Sequence, residues 1–198
     1  MVKVAVLVSG GGTNLQALID AQAAGKLGTG KISLVLSSSI KAYALTRAEN
    51  AGIPTHVTRR KDFASSEEYD AEIIRVLKEN DIQLVVLAGF LSILGPSVIE
   101  AYRDRILNIH PSLIPSFCGD GFYGLKVHEE ALKYGVKVTG ATVHFVNEIT
   151  DGGKIILQKP VMVEPGDTPE TLQRRVMEQA EWQILPQAVA MISQQLEA

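Results

Sequence analysis

"VKVAVLVSGGGTNLQALIDAQAAG", residues 2 to 25, decides the fold. Its first seven residues are an apolar run rich in β-branched side chains. Three glycines follow, and then Leu15, Leu18 and Ile19 recur at helical spacing until Gly25 stops the run. A strand that turns through glycines into a helix is the first step of a βα-type sheet. The alternation continues: "KISLVLSS" (31–38) predicts a strand, "AYALTRAENAG" (42–52) a helix and "PTHVTR" (54–59) a short third strand. Ser65 with Glu68 has the spacing of a capping box opening the helix "SEEYDAEIIRVLKEND". The most apolar strand of the chain is "IQLVVLAGF" (82–90). Near-continuous apolar strands interleaved with helices predict a mostly parallel sheet covered on both faces by right-handed crossovers, a doubly wound α/β fold.

Beyond residue 104 the pattern changes. "RILNIH" predicts a fifth strand, "KVHEEALKYG" (126–135) a helix, and "KVTGATVHFVNE" with "KIILQKPVMVE" an antiparallel pair joined by the turn signal "TDGG". "GDTPETLQ" opens a last helix with Pro169 in its first turn, and Pro186 is expected to kink or divide that helix. No repeat or linker interrupts the chain, so residues 1–198 are expected to form one domain with two halves, 1–103 and 104–198.

Composition narrows the function classes. With 198 residues, 46% of them hydrophobic, the chain supports one sizeable core. Net charge is −3 and no run of Lys or Arg occurs, so neither nucleic acid nor a membrane surface is an expected partner, and an anionic ligand must be held by local devices. The single cysteine, Cys118, excludes an internal disulfide and a Cys-based zinc site of its own, which fits a reducing, cytoplasmic setting. The apolar start is too short for a membrane span and reads as the first core strand.

Two stretches carry chemistry. "SGGGTNLQ" (9–16) lies between strand and helix, where glycines admit a ligand to the backbone and free N–H groups gather at a helix N-terminus. It lacks the GxxxxGK[ST] of a Walker loop, and Leu15 stands in place of the third glycine of a dinucleotide fingerprint, so a small phosphate monoester fits better than NAD. The alternative is a tight turn with Thr13 or Asn14 as an ordinary N-cap. In "ILNIHPSLIP" (106–115), Asn108 and His110 are two apart on a strand and share a face at its carboxyl end. Together they supply amide and imidazole donors suited to an oxyanion and a group that moves protons near neutral pH; the alternative is a capped strand end. An acid to orient the histidine is sought in "HFVNEITDGGKI", as Asp151 or Glu148, although Asp-Gly also marks a plain turn. Asp151 in that role is expected to raise the pKa of His110 and keep it cationic. His144 shares a face with Thr142 and reads as a structural, hydrogen-bonded histidine.

Taken together, "VSGGGTNLQ", "VVLAGFLSILGP", "LNIHPSLIPSF", "GVKVTGATVHFVNEITDGG" and "EWQILP" resemble, in order and over essentially the whole chain, the phosphoribosylglycinamide formyltransferases of the folate-dependent formyl transferases. The resemblance implies a Rossmann-like formyltransferase fold, with a phosphate-binding first half and a catalytic, folate-binding second half. The implied activity is transfer of the formyl group of 10-formyltetrahydrofolate to the amine of glycinamide ribonucleotide in purine biosynthesis. No metal is implied, and the expected state is a monomer or weak homodimer. By the same resemblance Asn108, His110 and Asp151 are catalytic and Thr142 supports them. Gly12, Thr13, Asn14 and Glu181 bind the ribonucleotide, and Leu87, Ser92, Ile93, Leu94 and Val146 line the folate site. The sequence departs from the family in four places. Ser92 stands where relatives commonly carry Arg, Trp182 replaces a frequent histidine, and Cys118 takes a proline position as an adventitious thiol. The loop "GDGFYGLKVHEEAL" is longer than the family's shorter form.

Overall fold

A computed structural model describes all 198 residues. The strands are β1 (Val2–Val8), β2 (Gly30–Ser37), β3 (Thr55–Val57), β4 (Leu84–Leu87), β5 (Ile106–His110), β6 (Val138–Phe145) and β7 (Ile155–Met162). The helices are α1 (Thr13–Ala23), α2 (Tyr43–Asn50), α3 (Ser66–Glu79), α4 (Pro96–Ala101), α5 (Leu125–Tyr134), α6 (Pro169–Val176) and α7 (Trp182–Glu197). The strands form one sheet in the order β3-β2-β1-β4-β5-β6-β7. Pairing is parallel from β3 to β5, and β6 and β7 join antiparallel. This is the doubly wound arrangement expected from the alternation.

Each central strand feeds two cores, because successive side chains leave opposite faces. Val2, Val4, Val6 and Val8 of β1 pack with Leu15 and Leu18 of α1 and with Ile184, Leu185 and Val189 of α7. Ala5 and Leu7 pack on the other face with Tyr69, Ile73 and Leu77 of α3 and Val98 of α4. Full burial of such a Val or Leu stabilises the fold by about 1.5–3 kcal/mol per side chain. No helix is long and apolar enough to cross a membrane.

Five local readings are corrected or refined. The strand expected over 82–90 is confined to Leu84–Leu87, since Gly89 at φ 73° turns the backbone out of the sheet. The capping box of α3 is half formed: Ser65 accepts from the Glu68 amide at 3.2 Å, but the Glu68 carboxylate reaches past Ser65 to the Ala64 amide at 3.1 Å. Neither Thr13 nor Asn14 caps α1, whose N-cap is Gly12 in the left-handed region without any side-chain cap. Finally, the last helical segment is divided by a π turn, Met177–Glu181, and Pro186 lies within α7. Proline lacks an N–H and its ring crowds the carbonyl four residues earlier, which here belongs to Trp182. The irregularity therefore sits on the N-terminal side of the proline. The "TDGG" turn is also wider than a tight hairpin, with nine residues, 146–154, joining β6 to β7.

Candidate active site

The carboxyl ends of the parallel strands open onto a cavity of about 510 Å³ whose walls include Asn14, Leu87, Ser92, Leu94, Asn108, His110, His128, Val146, Asp151 and Glu181. Ligand sites of open α/β sheets lie at this edge. β5 ends there because Asn108 and His110 are the last polar positions of an otherwise apolar strand, with Ile106, Leu107 and Ile109 buried beneath them.

Asp151 is the point on which the polar groups converge. Its Oδ2 lies 3.5 Å from His110 Nδ1 and accepts from the Gly119 amide at 2.9 Å. Its Oδ1 lies 3.4 Å from Asn108 Nδ2 and 3.5 Å from His144 Nε2. Asn108 Nδ2 also approaches His144 Nε2 at 3.1 Å. The glycines after Asp151 permit this. Asp151 itself holds φ 54°, and a Cβ on Gly153 would fall 1.7 Å from the Phe145 carbonyl oxygen, so only glycine lets the loop fold back on β6. Asp-Gly here is thus both a turn and the carrier of the acid. The other candidate acid, Glu148, is committed to Arg103 at 2.7 Å. His144 is hydrogen-bonded as expected, its Nδ1 donating to the Phe145 carbonyl at 2.8 Å, and it also joins the polar cluster.

Charge in the cluster is set by burial. Desolvation pushes the Asp151 carboxyl up, but the His144 and His110 rings and the Gly119 amide outweigh it and leave the group below its ordinary value. For His110 the balance runs the other way. Burial lowers its pKa, against the opposing pull of Asp151 and of the Phe117 carbonyl, to which Nε2 donates at 2.8 Å. The expectation that Asp151 keeps His110 cationic is therefore corrected: at 3.5 Å the carboxylate does not offset the desolvation of an almost fully buried ring.

Thr142 supports this arrangement from β6. Its buried hydroxyl donates to the Ser112 carbonyl at 2.7 Å and accepts from the Ile114 amide at 3.1 Å and from Gln158 Nε2 at 3.0 Å. The segment after His110 is held in place by these bonds.

The glycine loop joins the same cavity through Asn14, whose Nδ2 donates to Glu181 Oε2 at 2.7 Å. Glu181 is the last residue of the π turn, which sets it facing α1. Burial pushes its carboxyl up to about 7, with the Asn14 amide opposing. The three glycines differ in what they do. Gly12, at φ 72°, leaves a would-be Cβ only 2.6 Å from Ala44 Cβ, whereas a Cβ on Gly10 or Gly11 meets no protein atom within 4 Å. Gly12→Ala is expected to destabilise the protein by about 1–3 kcal/mol, and Gly11→Ala by less than about 0.5 kcal/mol, in urea unfolding. Internal packing therefore does not require glycine at position 10 or 11. Thr13 lines not this cavity but a larger hollow of about 790 Å³ between α1 and α7, which Trp182 also lines and whose walls include neither Asn108 nor His110 nor Asp151.

Sequence reasoning passed over His128. It sits on α5 fully buried at the cavity wall, with neither ring nitrogen hydrogen-bonded, and burial lowers its pKa to about 4. An inward-facing histidine in the amphipathic "KVHEEAL" was the only available signal. No group activates the Cys118 thiol: burial and the nearby Asp151 both push its pKa up.

Residues 2–189 match the family described as formyl transferase. The phosphoribosylglycinamide formyltransferase of Haemophilus influenzae is 44% identical over 186 residues, covering 94% of this chain and 84% of that protein. The trifunctional purine biosynthetic protein adenosine-3 of Gallus gallus is 46% identical over 192 residues, and the chain spans only 18% of its length. The crystal structure of glycinamide ribonucleotide transformylase 1 from Symbiobacterium toebii superposes with a TM-score of 0.92 at 39% identity, covering 98% of this chain and 89% of that one.

Proposed function

The chain belongs to the formyl transferase family, and from that premise we propose that it transfers the formyl group of 10-formyltetrahydrofolate to the amine of glycinamide ribonucleotide in purine biosynthesis. The observation that carries this reading is the meeting of Asn108, His110 and Asp151 in one cavity that also holds Asn14 with Glu181 and the apolar segment from Leu87 to Leu94. An acyl transfer between a flat folate and a phosphorylated amine calls for those three parts.

Formyl folate supplies the activated formyl carbon, and the walls fit it. Leu87, Leu94 and Val146 offer apolar surface to a pterin, and the backbone around Ser92 and Ile93 offers polar edges. Gly12, Thr13 and Asn14 place backbone amides at the start of α1, where a phosphate is favoured. Glu181, paired to Asn14, faces the ribose and glycinamide end. Asn108 presents an amide donor to the formyl oxygen. His110 is kept neutral by burial until the amine attacks; as the new C–N bond forms, the proton the amine sheds passes by way of the ionised Asp151 to His110, and the charged ring, balanced by that carboxylate, becomes the second donor to the oxyanion. When the C–N10 bond breaks, the same proton goes to N10 and tetrahydrofolate leaves. Since both substrates are soluble metabolites, the reaction is assigned to the cytoplasm.

The direct test follows loss of 10-formyltetrahydrofolate with and without glycinamide ribonucleotide. Consumption that depends on the amine supports the reading; consumption indifferent to it means hydrolysis and overturns it. Gly11→Ala is expected to raise KM for the ribonucleotide several-fold, because the added methyl faces the phosphate.

A further inference from the structure

The segment between β4 and α4 borders the cavity with Leu94 and with the backbone around Ser92 and Ile93, yet it belongs to neither element. The Ala88 amide donates to the Leu7 carbonyl at 2.9 Å, and beyond it no backbone–backbone hydrogen bond ties residues 89–94. The next such bonds are those that the Gly95 carbonyl accepts from Val98 and Ile99 at the start of α4. The side chains of Leu91 and Ile93 are exposed and give no anchor, so only Leu94 and, in part, Phe90 pack against the α3 side of the core. Backbone groups left unspent in this way are free for a ligand, but a stretch so little bonded to itself has to be held from outside.

Two side chains from elsewhere hold it. At its front, the Leu91 amide donates to Ser9 Oγ at 2.8 Å, and Ser9 Oγ lies in turn 2.6 Å from Ser38 Oγ. At its rear, the Gly95 amide donates to Asp70 Oδ1 at 3.0 Å. Asp70 lies on α3 among the buried Ile73 and Leu77, is only 3% exposed, and has the Gly95 amide as the one hydrogen-bond partner of its carboxylate. An acid so placed costs desolvation free energy that an apolar residue would not. Gly95 has φ −80° and ψ 173°, backbone that any residue adopts, so its lack of a side chain answers to space alone. A Cβ there would overlap Asp70 Oδ2 and meet Cγ at 2.8 Å. The glycine and the acid therefore form one clamp.

Resting on the formyl-transfer reading, we propose that Asp70 and Ser9, neither of which lines the cavity, are positioning residues for the formyl folate: they fix residues 91–95 in the conformation whose free backbone groups meet the pterin. Asp70 acts through this segment alone, at a distance from the glycine loop and Glu181 that serve the ribonucleotide. A ligand that needs one conformation of a loosened segment binds more weakly in proportion to the fraction of molecules that hold it. Removing the charged acceptor is expected to lower that fraction on the order of tenfold, and removing the hydroxyl about fivefold.

The test measures equilibrium binding of tetrahydrofolate, with KM for 10-formyltetrahydrofolate and for glycinamide ribonucleotide followed in parallel. The proteins compared are the wild type, Asp70→Ala, Asp70→Asn, Gly95→Ala and Ser9→Ala, each shown to be folded by near-ultraviolet circular dichroism. Asp70→Ala and Gly95→Ala should weaken the folate on the order of tenfold and leave KM for the ribonucleotide within about twofold. Asp70→Asn keeps an acceptor for the Gly95 amide and should stay within about twofold of the wild type; Ser9→Ala should weaken the folate about fivefold. A merely structural acid would cost stability and active fraction at unchanged folate affinity. That result, or equal weakening of both substrates in Asp70→Ala, would overturn the proposal. Should Asp70→Ala not fold, Gly95→Ala and Ser9→Ala decide, and unchanged folate binding in both sinks it. A wild type that neither binds tetrahydrofolate nor shows amine-dependent transfer would remove the formyl-transfer reading and this proposal with it.

Discussion

His110→Ala is expected to lower turnover about 10²–10³-fold, as does loss of an oxyanion donor elsewhere. The side chain is one of two donors at the end of β5, and it alone links the Phe117 carbonyl to Asp151 across its ring. Asn108→Ala removes the other donor and should depress kcat comparably. Asp151→Asn keeps the shape of the carboxyl and an acceptor for the Gly119 amide, but it withdraws the charge that balances a protonated His110. Its loss should therefore fall on kcat more than on KM. Single-turnover rates, with near-ultraviolet circular dichroism to show that each variant is folded, decide the matter. Wild-type turnover in His110→Ala would remove Asn108, His110 and Asp151 from the mechanism proposed above.

The second large effect is on stability against pH. His128 has its pKa lowered to about 4 by burial, so the unfolded chain binds its proton more readily. Its contribution is complete above about 6.5 and is lost as pH falls through about 4, amounting to roughly 3 kcal/mol. Glu181 has the opposite sign. Burial raises it to about 7, so its contribution is complete below about 4.5 and is lost as pH rises through about 7, again roughly 3 kcal/mol. The two oppose each other over one pH window, and His110, lowered by burial, adds to the histidine side. The wild type should thus vary less between pH 4.5 and 6.5 than either single variant. Glu181→Gln should lose stability on acidification, and His128→Leu should lose it as pH rises. Urea midpoints at three pH values in that window check this; parallel profiles for the three proteins would refute the charge assignments.

The alternation of elements was legible because apolar periodicity is local: β1, α1 and β2 each announce themselves within a few residues. The convergence of Asn108 and His110 was legible too, since side chains two apart on a strand share a face. What could not be read depends on partners distant in the chain. The charge of His110 follows from how deeply the fold buries it, not from the acid 41 positions away. His128 looks like any inward residue of an amphipathic helix until its two nitrogens are found without partners. The π turn at Met177–Glu181 sets Glu181 against Asn14, a contact across 167 positions of sequence that no local pattern announces. Apolar strands also say little about where they leave the sheet. β4 ends at Leu87, and the remaining residues of that run become the wall of the cavity.

Thr142 has a consequence for which side chains its position admits. Its hydroxyl gives one hydrogen and receives two, using every valence an alcohol has. Valine copies the outline but strands an amide, a carbonyl and a glutamine together, and alanine does the same with a void added. Serine alone preserves the full set, so this site, though it touches no reactant, is narrowed by hydrogen-bond stoichiometry to two residue types out of twenty.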